Sequence, residues 1–192
     1  MKYFIQVTLT TYIGAILVYA LWSYITFSGP DQGWVGSLVY LPHGPRVIFY
    51  CFFGARSLPA LFLAETTGPA LVYGDQYPDF WAIANIASLF SVVLAVEILK
   101  WSRVTTFNYS ILNKINFANY KFLILVIVIS ALFNSIFTNL IVSAFNSDMQ
   151  ITVMVVFRFF IGDISGAAVF LTYLMIMFQL IRKRKIYKVN DN

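Results

Sequence analysis

Residues 120–142 read YKFLILVIVISALFNSIFTNLIV, with one charge, Lys121, at the start and no charged residue after it. A helix that crosses a bilayer needs about 20 mostly apolar residues, because with no water in the hydrocarbon every backbone polar group must be bonded within the segment. Tyr120 to Val142 meets that requirement, and it sets the class of the whole chain. Working outward, similar runs lie near Tyr3 to Phe27, Val35 to Phe53, Leu58 to Tyr73, Phe80 to Trp101 and Ile151 to Ile181. The composition agrees: 60% of the 192 residues are hydrophobic and 11% charged, against roughly a quarter charged in soluble domains. A soluble globular protein is excluded. The expectation is an all-α polytopic membrane protein of about six transmembrane helices, forming one transmembrane domain over 1–181 with a short basic tail over 182–192.

The formal net charge is +5, yet five of the thirteen Lys and Arg residues are Arg182, Lys183, Arg184, Lys185 and Lys188. Such a cluster marks the cytoplasmic end of a span and sits against anionic lipid, so it gives no reason to invoke nucleic acid. Alternating back from it puts Lys2, Arg56, Lys100, Arg103, Lys114 and Lys121 on the cytoplasmic side and Asp31, Asp75, Asp79 and Asp148 outside. Both termini are then cytoplasmic. Trp22, Trp34 and Trp81 fall near the outer interface and Trp101 near the inner one, where amphipathic rings prefer to lie. The stretch from Ser102 to Asn119 reads either as an interfacial helix carrying Phe107, Ile111 and Ile115 or as a plain cytoplasmic loop. Cys51 is the single cysteine, so no intrachain disulfide is possible; with one histidine beside it, a structural metal site is not expected. No cofactor is implied.

Ionisable residues at membrane depth are costly and mark either function or buried pairs. His43, Arg46, Glu65, Arg158 and Asp163 qualify. A rise of about 1.5 Å per residue places Arg46, Glu65 and Asp163 near the midplane and Arg158 toward the outer third. Arg158 and Asp163, five apart, sit about 140° from each other around a helix, so their partners should lie on other helices, most simply Arg46 or Glu65.

The densest signal is Leu41-Pro42-His43-Gly44-Pro45-Arg46 inside the second run. Prolines remove backbone donors and disfavour helix in the residue before them, so the span should break here and restart with Pro45 in its first turn. Non-helical backbone at this depth needs protein or a water-filled cavity around it. Exposed amides at the restarted helix, its dipole and the planar donor fork of Arg46 suit a carboxylate or phosphate. Two readings follow: an outward-open pocket for a small anionic ligand, formed by His43, Gly44, Arg46, Glu65, Arg158 and Asp163, or a buried ion pair at a helix kink. Thr66-Thr67-Gly68-Pro69 should kink the third span. Asn85, Ser88, Asn134 and Thr138 either line the same cavity or join helices. In Gly162-Asp163-Ile164-Ser165-Gly166 the glycines let another backbone approach closely, and a helix is the expected neighbour.

Enzyme motifs are missing: no His-Glu-x-x-His, P-loop or G-x-G-x-x-G occurs,. Ser165 lies one residue too far from its preceding glycine for an intramembrane serine nucleophile. The chain is not expected to be an enzyme.

The Pro-x-Gly start at Leu41 to Arg46, the turn Gly54-Ala55-Arg56 with Pro59, and Arg158 followed by Gly162-Asp163-Ile164-Ser165-Gly166 resemble the integral membrane-associated sensor domains of bacterial signalling proteins. The resemblance covers the second, third and last spans. It implies a sensing pocket at Arg46, Glu65 and Asp163 in the bacterial inner membrane. Family members usually have more spans and continue into a cytoplasmic output domain, so here a separate membrane or cytoplasmic protein partner would carry the output. Six helices and an outward pocket are also similar, in architecture only, to the substrate-specificity subunits of energy-coupling-factor vitamin transporters, with Ala84 and Ser88, or Ala87, Ser91 and Ala95, as a contact face. A structural subunit of a larger membrane complex is the third alternative.

Overall fold

The computed structural model describes residues 2–27, 37–74, 81–103, 117–145 and 151–190. It contains α1 (Lys2–Phe27), α2 (His43–Phe53), a 3-10 turn (Gly54–Ser57), α3 (Leu58–Tyr73), α4 (Trp81–Trp101), α5 (Phe117–Phe145) and α6 (Val153–Asn190). No strand occurs among the described residues. Five helical stretches are long and apolar enough to cross a membrane: Tyr3–Thr26, His43–Tyr73, Trp81–Trp101, Tyr120–Phe145 and Val153–Leu180. The protein is an all-α, multi-pass membrane protein.

The apolar pattern is turned outward, as lipid requires. Along α1, Leu9, Ile13, Leu17 and Leu21 are exposed, while Val7, Thr11, Ala15, Tyr19 and Ser23 are buried. Small and polar side chains let helices approach in a solvent as apolar as leucine, where burying large aliphatics gains little. That stripe runs along α3, whose Ala64 and Leu61 join Ala15, Tyr19 and Leu89 in one core cluster. Tyr12 to Thr67 at 3.1 Å and Thr26 to Tyr73 at 3.0 Å tie the same two helices. A second cluster joins Val47 and Cys51 of α2 to Val92, Val96, Phe122, Val126 and Ala167.

The run from His43 to Tyr73 is not straight. A continuous helix would hold Arg46 and Glu65 about 28 Å apart, yet their side chains, 19 positions apart in the sequence, meet at 2.5 Å. The chain therefore reverses at Gly54–Ser57. Gly54 has φ 61° and ψ −149°, a conformation open essentially to glycine alone. With its 11 residues, α2 measures about 16 Å, roughly half the hydrocarbon thickness.

The break foreseen at Pro42 to Pro45 is present. Residues 37–42 are non-helical, and α2 begins at His43 with Pro42 as its N-cap. The expected kink in α3 leaves no interruption, for the helix continues through Pro69 to Tyr73. The last helix runs nine residues beyond Ile181, through 182–190, where a tail was expected. Ser102 and Arg103 form the turn after α4, and Phe117–Asn119 belong to α5. The interfacial helix considered around Phe107, Ile111 and Ile115 lies outside the described residues, as do Asp31, Trp34, Asp75, Asp79 and Asp148.

Candidate functional site: a buried polar interior around the broken helix

What holds the non-helical segment at depth is α6. Tyr40 donates its backbone N–H to the Gly162 carbonyl at 2.8 Å, and the Ser165 hydroxyl donates to the Leu38 carbonyl. A Cβ on Gly162 would overlap the Ser37 carbonyl, and one on Gly166 would overlap that of Tyr40. The two glycines do form a groove for close backbone approach, but its occupant is the non-helical strap 37–41 where a helix was expected. The other side of the strap is held by α1: Trp22 donates through Nε1 to the Val39 carbonyl at 3.0 Å and packs edge-on against the Tyr40 ring. Protein thus surrounds backbone that lipid could not solvate.

The first turn of α2 does not present free amides. His43 N–H bonds the Tyr40 carbonyl at 3.2 Å, Gly44 N–H that of Leu41 at 3.1 Å, and Arg46 N–H that of Pro42 at 3.4 Å. Pro45 has no amide hydrogen. The ring of Phe170 fills the space where Gly44 lacks a side chain. The part of the anion-site expectation that rested on amides after Gly44 is therefore corrected: the turn before the helix consumes them.

Arg46 is 1% exposed. Its Nε donates to Glu65 Oε1 at 2.5 Å, its Nη2 reaches the Tyr19 hydroxyl at 3.4 Å, and the guanidinium lies 5.7 Å from the centre of the Tyr40 ring. Tyr19 in turn donates to Glu65 Oε1. Arg46 Nη1 is buried and has no hydrogen-bond acceptor among the described residues. Of the two partners considered for Arg46, the one it bonds is Glu65.

Asp163 belongs to a second group. Asn134 donates through Nδ2 to Asp163 Oδ2 at 2.6 Å, and Thr138 donates to Asn134 Oδ1 at 2.8 Å, which fixes the amide's orientation. His43 Nδ1 lies 3.7 Å from the same Asp163 oxygen, while Nε2 lies 3.0 Å from the Ser130 hydroxyl. The order Ser130, His43, Asp163 matches the groups of a serine hydrolase. Both Ser130 and His43 are 0% exposed, however, and Ser130 also donates to the Ile127 carbonyl one turn earlier at 3.2 Å. That burial favours a structural polar chain over a reacting nucleophile.

His43, Gly44, Arg46, Glu65 and Asp163 are all buried in this interior. Arg158 is only half-buried on α6 and forms no ion pair with a described residue. Residues the sequence reading passed over are Tyr19 and Ser130, both neutral side chains. Their signal was spacing: Thr11, Ala15, Tyr19 and Ser23 recur every four residues on α1, as do Ser130, Asn134 and Thr138 on α5, which places each set on one helix face. No metal-binding group of His, Cys, Asp and Glu occurs among the described residues. Comparison of the chain with protein-family models, curated proteins and solved structures finds no match.

Proposed function

We propose that the chain is a membrane-embedded sensing module of the integral membrane-associated type, which binds a small ligand in its polar interior and acts through a separate protein partner. The observation that carries this reading is Arg46 Nη1, a buried donor on a cationic group with no acceptor among the described residues. Leaving such a donor unmade costs about 1–3 kcal/mol, more on a charged group. A carboxylate or phosphate oxygen would complete it. Tyr19 of α1, Tyr40 of the strap and Glu65 of α3 meet the same guanidinium, so a ligand there would adjoin three elements.

In this proposal the chain crosses the bacterial inner membrane six times with both termini cytoplasmic. The strap and α2 together would make one crossing, with α3 returning. Arg56 lies over the Tyr3 ring at 5.5 Å, which supports placing the start of α1 and the 54–57 turn on one side.

A ligand that binds only the folded protein adds about 2.7 kcal/mol of apparent stability at 100 times its dissociation constant. Thermal unfolding of the detergent-solubilised protein with a panel of small carboxylates and phosphates should therefore show a rise in Tm for one chemical class, lost in Arg46→Gln. No rise with any member, in wild type that unfolds cooperatively, counts against the ligand reading. It would favour the second reading, a structural subunit of a larger complex, which the engagement of Arg46 by Glu65 and Tyr19 already supports. A transporter specificity subunit is less well supported. Its proposed contact face, Ala84, Ala87, Ser88, Ser91 and Ala95, is buried within this chain, on a helix that packs most extensively against α5.

A further inference from the structure

The charges fixed in the interior do not balance. Among the described residues at 1% exposure or less, Arg46 carries one positive charge, Glu65 and Asp163 one negative charge each, and His43 is the remaining group that titrates near neutrality,. Arg46 and Glu65 cancel across their 2.5 Å contact. A neutral imidazole would leave Asp163 as a single uncompensated charge in a low-dielectric interior, a state that proteins avoid by binding a proton.

Among the described residues, the groups around the pair do not supply the missing charge. Tyr19 of α1 and Tyr40 of the strap, both neutral, lie against Arg46, and Arg46 of α2 is already cancelled by Glu65 of α3. The side chains that α5 presents are the neutral Ser130 and Asn134, with Lys121 at its far end. On α4, Glu97 and Lys100 pair with each other at 2.5 Å near the end of the helix. Arg158, on α6, is partly exposed and unpaired with Asp163.

Hydrogen-bond directions point the same way. The 3.0 Å contact between Ser130 and His43 Nε2 fits either neutral tautomer; where the Ser130 hydroxyl gives its one hydrogen to the Ile127 carbonyl, it accepts from His43 and Nε2 carries hydrogen,. In a neutral ring Nδ1 would then turn a lone pair toward Asp163 Oδ2 at 3.7 Å, an oxygen that already accepts from Asn134. His43 Nδ1 has no other hydrogen-bond partner among the described residues. A proton between ring and carboxyl turns this repulsion into attraction.

We infer that His43 and Asp163 form a proton-binding site that holds one proton beyond a neutral imidazole and a carboxylate, so that the interior is electrically neutral. The inference rests on the charge count and does not need a ligand at Arg46.

His43 is the single histidine, so its ring nitrogens give unambiguous signals in the full chain labelled with 15N-histidine in lipid nanodiscs. At pH 7.5 an ordinary imidazole is about one-tenth protonated and an ordinary aspartate hardly at all. The expected occupancy is near one, about tenfold higher. It appears either as two protonated ring nitrogens or as a carboxylic-acid C=O infrared band that shifts on 13C labelling of aspartate, and either supports the site. Asp163→Asn should abolish the band or return the ring to one protonated nitrogen. If that variant does not fold, the isotope shift in wild type still decides. One unprotonated ring nitrogen together with no carboxylic-acid band overturns the inference.

Discussion

Arg46 Nε and Glu65 Oε1 meet at 2.5 Å across a chain reversal, with both side chains removed from solvent. The pair is the bolt of the α2–α3 hairpin, since the fold between its members turns on a four-residue 3-10 segment. Breaking one side leaves a buried orphan charge and typically costs about 3–5 kcal/mol, whereas removing both leaves none. Arg46→Met and Glu65→Leu should each lower folded yield and unfolding resistance, and the double variant should recover part of the loss. Arg46→Met with Asp163→Leu, whose side chains share no hydrogen bond, should come closer to additivity. Unfolding titrations of these four variants and of Asp163→Leu alone test both cycles, and strict additivity for Arg46 and Glu65 would dissolve the pair as an energetic unit.

Gly166 leaves no room for a side chain beneath the Tyr40 carbonyl. Overpacking costs about 1–3 kcal/mol, so Gly166→Ala should destabilise by that order and loosen the strap, making cysteines introduced at Ser37 or Leu38 react faster with maleimide. Val169→Ala, on a half-exposed position of the same helix, should stay within about 0.5 kcal/mol. Equal effects of the two substitutions would mean the strap is not seated on α6.

The proposed orientation is checked by impermeant maleimide in a Cys51→Ala background, with Asn192→Cys and Gln76→Cys as reporters. The two should label from opposite faces of the membrane. Labelling of both from outside would remove the six-crossing arrangement.

An anion at Arg46 would add a charge to an interior that one shared proton has already neutralised, and a further proton is the cheapest compensation. Any phosphate or carboxylate that raises Tm should therefore bind with uptake of about one proton, by linkage. Calorimetric titration in two buffers of different ionisation enthalpy measures this. Identical heats in both would show that binding and protonation are uncoupled.

The membrane class and the interruption at Pro42 and Pro45 were legible, because a long apolar run and a pair of prolines act through local physics alone. The depth of α2 was not. It depends on Gly54 turning the chain back, and a glycine in Gly54-Ala55-Arg56-Ser57 reads equally as an ordinary loop residue. Gly162 and Gly166 announced a close approach, but the lack of a Cβ says only that backbone comes near, and nothing in the two residues tells a strap from a helix. At the site, Arg46, Glu65, His43 and Asp163 stood out because charge in an apolar run is conspicuous. How they divide into two groups depends on Tyr19, Ser130 and Asn134, neutral residues whose four-residue spacing marks a buried face without marking its partner.

The strap is fastened to α6 at Gly162, while the helix itself continues unbroken to Asn190. From that fastening point to the end is about 42 Å of rigid rod. A tilt of about 5° around Gly162 would shift Gly166 by only about 0.5 Å and swing the far end by about 4 Å. The strap is seated at Gly162, Ser165 and Gly166, so it meets the same arm of the helix that carries the Arg182 to Lys185 cluster.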